Sequence, residues 1–404
     1  MHDLVVRSPL FRQYPYPLGL TVFLSQVGLG VVLFAVFQEY VPAGLGAGDE
    51  WGGFLLASYG GARFLCETPT GMISDRIERK HSLLIGLVLL LPAVAIMSRL
   101  GSPGPFLVCA ALLGAGTAFI WPATYAMSAD LYPPARRGKV VGFLNVFQLI
   151  GFGVGAFLGA LLVESSTGVM FAVAIGAVAT AAVAALLTLP GYRDGSAPRV
   201  PSSGLRSVWS ARLAFLSALV LVSTIGISMI VPAIRPFGEE QLDISFALLT
   251  AALIPALLIG AALYVPAGHL ADRAGRMVPF VLGELLIVLG CLVISTTASL
   301  PVAMAAAVLV FGGNVAIVPA FNAAVMDLAP EAYRGTLIGL MVALSGLGLA
   351  VGPLIGGVIL RDGSAPDVFR LAAVVAMASA IGILGYSRRY GGRSRAAVSV
   401  PLPD

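Results

Sequence analysis

Twelve runs of predominantly apolar residues, each about as long as the ~20 residues a helix needs to cross bilayer hydrocarbon, follow one another along the chain. They leave no room for a soluble domain between them. The runs are read over 18–40, 51–73, 82–98, 104–129, 139–163, 167–189, 213–234, 245–268, 277–297, 301–326, 335–360 and 367–387. Charged or turn-forming residues bound each one, so the expected fold is all-α and integral to a membrane, with the lipid bilayer as solvent. Composition agrees: 11% of the 404 residues are Asp, Glu, Lys or Arg, against roughly a quarter in soluble domains, and mean hydropathy is +0.95. The first run is long and lacks a small-residue cleavage pattern after it, so it reads as a retained span rather than a leader.

A net charge of +4 could suggest nucleic acid, but Lys and Arg lie in short clusters between apolar runs, with no continuous basic face. Loop by loop they fall mostly on one side, nineteen of the 24, and that side is read as cytoplasmic. Both termini are therefore expected in the cytoplasm, and the protein in the cell's inner (plasma) membrane. The polar stretch 191–212, rich in Gly, Pro and Ser, reads as a linker. It separates an N-terminal six-helix bundle (1–190) from a C-terminal one (213–390), with a disordered tail over 391–404. Cys66, Cys109 and Cys291 stand singly inside apolar runs, so neither a disulfide framework nor a metal site is expected.

The two sixes look like copies of each other. Shifting the second half by 197 residues pairs Pro69 with Pro266, Gly71 with Gly268, Asp75 and Arg76 with Asp272 and Arg273, and Arg79 with Arg276. The same shift pairs Gly116 with Gly313, Pro122 with Pro319, Asp130 with Asp327 and Arg137 with Arg334. It also lays Gly142, Gly151, Gly155 and Gly159 on Gly339, Gly348, Gly352 and Gly356 without a gap. Shared apolar composition would match glycines, but not Asp-Arg pairs and loop arginines in register.

GMISDRIERK (71–80) and GHLADRAGRM (268–277) resemble the GxLxDRxGRR/K signature of the major facilitator superfamily, between helices two and three and between eight and nine. Helix count, repeat and charge bias extend the resemblance over nearly the whole chain. It implies a fold of two pseudo-symmetric six-helix bundles. It also implies a conformational latch at the cytoplasmic face, formed by Gly71, Asp75, Arg76, Arg79, Asp130 and Arg137 with their counterparts Gly268, Asp272, Arg273, Arg276, Asp327 and Arg334. The first copy departs from the pattern at Glu78, where the signature has Gly. Because Gly permits positive φ, Glu78 predicts a different loop geometry there.

Gly348-x-x-x-Gly352-Pro353-x-x-Gly356-Gly357, and the weaker Gly151-x-x-x-Gly155-x-x-x-Gly159, place small residues on one helix face for close packing. They resemble a signature that exporters of the family carry in helix five, although here the full version is in helix eleven. An Arg upstream of Gly114-x-Gly116 that such exporters carry in helix four is replaced by Ala110, so no role transfers from it.

Copies that share a scaffold should differ where asymmetric chemistry is done. Arg63 and Glu67 in helix two stand opposite Gly260 and Tyr264 in the repeat. At mid-membrane each charge costs about 2.5–3.5 kcal/mol on the insertion scale, and the i,i+4 spacing puts both on one face with Tyr59. Glu67 is expected to take a proton when Arg63 turns away and lose it when the pair reforms. The same two residues could instead clamp substrate or form an intrahelical structural pair. Glu39, near the end of helix one, is a second candidate for the proton, whereas Glu284 in helix nine is expected to be paired structurally. Gln26, Trp121, Thr124, Tyr125, Asn145, Gln148, Thr224, Asn314 and Asn322 form a candidate cavity lining, rich in amides and aromatics and suited to amphipathic substrates.

The leading expectation is a monomeric secondary transporter that exports small amphipathic molecules in exchange for protons by alternating access, with no cofactor besides the proton as coupling ion. Uptake of a small polar or anionic solute, or lipid translocation, is the alternative. ATP drive is not expected, since no GxxxxGK[ST] phosphate loop occurs. Nor is an intramembrane enzyme: His2, His81 and His269 all lie towards one side, with no metal-ligand spacing and no Ser/His/Asp set at one depth.

Overall fold

A computed structural model describes residues 16–390, apart from 75–76, 133, 192–209, 264–265, 267–268, 271–272, 276 and 329–333. Asp75, Arg76, Gly268, Asp272 and Arg276 of the expected latch thus lie outside the described residues, as does nearly all of the linker.

The described chain forms twelve helices and no strand. They are α1 (Tyr16–Gly44), α2 (Glu50–Ser74), α3 (Arg79–Met97), α4 (Gly104–Leu131), α5 (Pro134–Ser165) and α6 (Thr167–Thr188). After the linker come α7 (Ala211–Gln241), α8 (Phe246–Ala262), α9 (Met277–Ile294), α10 (Leu300–Leu328), α11 (Arg334–Asp362) and α12 (Ala365–Tyr390). Ten are long and apolar enough to cross a membrane. The other two are α2, which carries Arg63 and Glu67, and α8, whose described apolar part is short. Helix starts follow local chemistry: Ser166 accepts from the Val169 amide, Ser210 from the Leu213 amide, and Asp367 from the Ser364 amide, each using donors that a first turn leaves unsatisfied.

The first helix of each copy runs further than hydropathy indicates and ends in a wide-turned segment, which in α7 follows a 3-10 turn over Val231–Ala233. From Val31 to Gly44, α1 is a π-helix, and α7 ends in another over Phe237–Gln241. On the 197-residue shift the second falls on 40–44 of the first, so the wide turns recur in register.

Two compact units divide the chain, Met1–Pro198 with Ser245–Ala251, and Arg199–Ile244 with Ala252–Asp404. In the first, α1 packs on α5 and α6, and α4 on α2 and α3, with α3 closing on α6. In the second, α7 packs on α11 and α12, α9 on α10 and α12. Four of these pairings are the same helix pairs moved by one repeat.

Glycine carries the symmetry down to single atoms. A Cβ on Gly86 would sit 2.6 Å from the Gly116 carbonyl oxygen and 2.7 Å from Ile120; one on Gly283 would sit 2.5 Å from the Gly313 oxygen and 2.7 Å from Ile317. All three partners are related by the same shift. On α5, a Cβ at Gly155 would run into the Val27 oxygen and one at Gly151 would fall 2.5 Å from the Phe23 oxygen, while on α11 one at Gly352 would meet Ser228 and the Ile225 oxygen. Backbone contact this close admits no side chain. By contrast, nothing lies within 4 Å of a Cβ at Gly142.

Replacing Gly155 by Val should therefore separate α1 from α5 and destabilise the first unit by at least the ~1–3 kcal/mol typical of overpacking, while Gly142→Val leaves stability nearly unchanged. Thermal unfolding of the two variants in detergent, followed by monodispersity, checks the contrast.

Candidate functional site

The face of α2 that bears Tyr59, Arg63 and Glu67 is turned into the first unit. Gly114 makes this possible: a Cβ there would run into the Tyr59 carbonyl oxygen and sit 3.0 Å from the Arg63 backbone nitrogen, so α4 lies directly against the α2 backbone. Two hydroxyls fix the register between these helices, Ser58 donating to the Leu107 carbonyl at 2.8 Å and Thr70 to the Ala118 carbonyl at 2.7 Å.

Within this frame Arg63 Nη2 is 3.7 Å from Glu67 Oε1, with side-chain exposures of 20% and 8%. That separation is within ion-pair range but too long for a hydrogen bond. Both Glu67 carboxylate oxygens and Arg63 Nε are buried without a hydrogen-bond partner among the described residues. The guanidinium also interacts with Tyr59 and Tyr125. Tyr125 in turn donates to Asn145 Oδ1 on α5 at 3.4 Å, and its ring stands 5.5 Å from that of Trp121. Residues from α2, α4 and α5 thus converge on one buried charge pair. A buried ion pair recovers its desolvation cost only when its geometry is good and its remaining polar atoms are satisfied, and here neither condition is met.

The other candidates are distributed over α1, α4, α5, α7 and α10. Gln26 is buried against α5, its Cβ close to the Gly151 position. Thr124 is fully buried and donates to the Ile120 carbonyl, and Gln148 is half-buried on α5. Thr224 donates to the Val220 carbonyl and packs on Gly348. Glu39 is half-buried towards the far end of α1, beside a fully buried Gln38 that contacts Gly52 of α2. Asn314 is half-buried on α10; the Asn322 side chain lies outside the described residues. Glu284 has its pairing: it is 1% exposed and accepts from Ser379 of α12 at 2.8 Å.

At the latch, Arg79 holds the ends of three helices together. Its Nη1 donates to the Ser74 carbonyl at the end of α2 at 2.9 Å, and its Nε approaches Asp130 Oδ2 of α4 at 3.5 Å. Gly71 faces open space and Arg273 is exposed. The side chains of Arg137, Asp327 and Arg334 lie outside the described residues. The copies differ where Glu78 replaces Gly: Glu78 has φ −64°, and its counterpart Gly275 has φ +92°. Glu78 approaches His81 at 3.2 Å. Sequence reasoning missed Lys80, whose Nζ donates to the Leu186 and Leu189 carbonyls at 2.7 and 2.9 Å, a cation at the end of α6 where free carbonyls and the helix dipole favour it. Its position two residues before the run read at 82–98 gave no sign of this, because α6 is distant in sequence.

A family model described as the Major Facilitator Superfamily matches residues 18–353 and 216–402. The chain belongs to that superfamily and is a multi-pass membrane transporter. It is 20% identical to an uncharacterized MFS-type transporter of Methanocaldococcus jannaschii over 92% of this chain and 97% of that one. It is 22% identical to multidrug resistance protein 1 of Bacillus subtilis over 84% of this chain and 87% of that one. Among solved structures, a bacterial homologue of the human lysosomal transporter Spinster in an inward-facing, unoccupied conformation superposes with a TM-score of 0.72 at 15% identity, covering 96% and 98% of the two chains; the fold is shared.

Removing one member of the α2 pair strands the other, so Arg63→Gln should cost about 3–5 kcal/mol. The double variant Arg63→Gln/Glu67→Gln should recover much of that loss. Denaturation of the single and double variants in detergent gives the coupling directly. Gly275→Ala should cost about 1–2 kcal/mol through its positive φ, and Glu78→Ala none through backbone strain.

Proposed function

We propose that this transporter is proton-coupled and exports small amphipathic molecules from the cytoplasm by alternating access, its two six-helix units rocking about a substrate site, with Glu67 as the proton-exchanging group. The observation that carries the reading is the Arg63–Glu67 pair: buried in α2, 3.7 Å apart, and hydrogen-bonded at neither carboxylate oxygen. A carboxylate's affinity for protons falls when a cation approaches and rises when it leaves. A pair this loose can separate and reform as the surrounding helices move, so proton uptake and release follow the conformational cycle.

Export is supported by the likeness to a multidrug resistance protein of Bacillus subtilis, at low identity. The aromatic and amide groups next to the pair, Tyr59, Trp121, Tyr125 and Asn145, suit amphipathic ligands. The proposed orientation has both termini in the cytoplasm of a cell with an inner membrane, and the working unit is a monomer. On this orientation Arg79 and Asp130 belong to a cytoplasmic latch that opens and closes with rocking.

Proton flux into liposomes containing the purified protein, under an imposed pH gradient and with a panel of amphipathic compounds, tests the proposal. Substrate-evoked proton movement in wild type, abolished in a Glu67→Gln variant that remains folded, is the expected result. Movement of labelled substrate by wild type without protons would overturn the coupling.

A further inference from the structure

The same pair carries information about the charge of what binds. Resting on the reading of Arg63 and Glu67 as the exchanging site, we propose that its substrates are zwitterions: an ammonium group for Glu67 and a carboxylate for Arg63, close together on an aromatic body.

Three polar atoms of the pair are left over. Glu67 is 92% buried in its side chain by its 8% exposure, and both of its oxygens lack a donor; Arg63 Nε lacks an acceptor. The i,i+4 spacing would allow a tight hydrogen-bonded pair, so the backbone does not impose the looseness. What the site lacks is one donor group on the carboxylate side and one acceptor on the guanidinium side, at about the separation of the pair itself. A ligand that is only a cation would reach Glu67 with its charge beside the Arg63 guanidinium. A ligand that is only an anion would reach Arg63 beside the Glu67 carboxylate. Each meets a like charge at close range in a site with little water to screen it, and like-charge juxtaposition is strongly disfavoured. A zwitterion meets neither obstacle, and it satisfies all three orphaned atoms with charge-assisted hydrogen bonds.

The surroundings fit the rest of such a molecule. Tyr125 is half-buried and interacts with the Arg63 charge, and its ring is tilted 32° to that of Trp121 at 5.5 Å. An aromatic body adjoining the two charges can pack there. Coupling follows without any added group. The ammonium of the ligand and a proton compete for the same carboxylate, so loading discharges the proton and release allows its return, which is exchange rather than cotransport. In the second copy the residues corresponding to Arg63 and Glu67 are Gly260 and Tyr264, which supply no such pair of charges.

The experiment holds the body constant and varies the charge. Binding of tryptophan, tryptamine and indolepropionate to the purified full-length protein in detergent is measured by calorimetry, with naphthylalanine, naphthylethylamine and naphthylpropionate as a larger matched set, and proton release on binding is followed in parallel in weak buffer. In at least one set the zwitterion should bind at least about tenfold more tightly than either singly charged analogue, the loss expected for one charge-assisted bond. Glu67→Gln should abolish the advantage of the zwitterion over the anion, and Arg63→Gln its advantage over the cation, each variant first shown by thermal unfolding to be folded.

A wild type that prefers the amine or the acid, or binds no member of either set, overturns the zwitterion inference. So does an equal loss for all three ligands in both variants, which is what a structural pair would give. The proton-coupled reading fails separately, if the zwitterion binds with the stated selectivity but releases no proton. It survives the failure of this inference if singly charged compounds evoke proton flux in liposomes.

Discussion

Helices in a bilayer gain nothing from hiding apolar side chains from one another, since lipid tails are as apolar as leucine, so bundles of this kind stand on van der Waals contact between backbones. Here that contact is made by glycine. The crossings of α3 with α4 at Gly86 and Gly116, and of α9 with α10 at Gly283 and Gly313, leave no room for a methyl group. On α1 and α5, and on α7 and α11, the same holds at Gly155 and Gly352. Once these approaches are set, hydroxyls such as Ser58, Thr70 and Ser228 reach carbonyls of the neighbouring helix, and the α2 backbone lies against α4, whose Tyr125 is near the Arg63 charge.

Against so regular a scaffold the departures from symmetry stand out physically. Glu78 and Gly275 occupy equivalent positions with φ of opposite sign, which alters the loop between the second and third helices of each unit. Glu284 stands where the first copy has Leu87 and ties α9 to α12 through Ser379. Among these departures only the α2 pair leaves buried charged atoms without hydrogen bonds. In Glu284 the polar atoms are satisfied and the group reads as a fastening. In Glu67 they are not, and the proposed function and the proposed substrate charge both follow from that difference.

The helices and the repeat were legible in the sequence because both are written in features that survive without tertiary information: run length against bilayer thickness, and charged loop residues at one fixed offset. The crossing glycines of α5 and α11 were legible because spacing by four marks a face, whereas Gly86 and Gly283 have no such spacing and were not. Where α1 and α7 end was not legible. Hydropathy marks an apolar run, whereas Tyr16–Gly44 and Ala211–Gln241 continue past the runs read at 18–40 and 213–234 and end in wide turns. Polar contacts between helices were only partly legible. The pairing of Tyr125 with Asn145, and of Lys80 with the end of α6, depends on how each helix is rotated about its axis, and an apolar run read as a string of letters does not specify that rotation. Thr224 illustrates the same point: a polar residue in an apolar run, it is turned to Gly348 of the neighbouring helix.

The central claim is that Glu67 changes its proton occupancy in the working protein. Infrared difference spectroscopy of the purified transporter in lipid, with pH stepped from acid to alkaline, observes this directly through the carbonyl stretch of a protonated carboxyl group. The account predicts a carboxyl band that appears and disappears with pH in wild type and is missing in Glu67→Gln. Identical difference spectra from wild type and Glu67→Gln would contradict it.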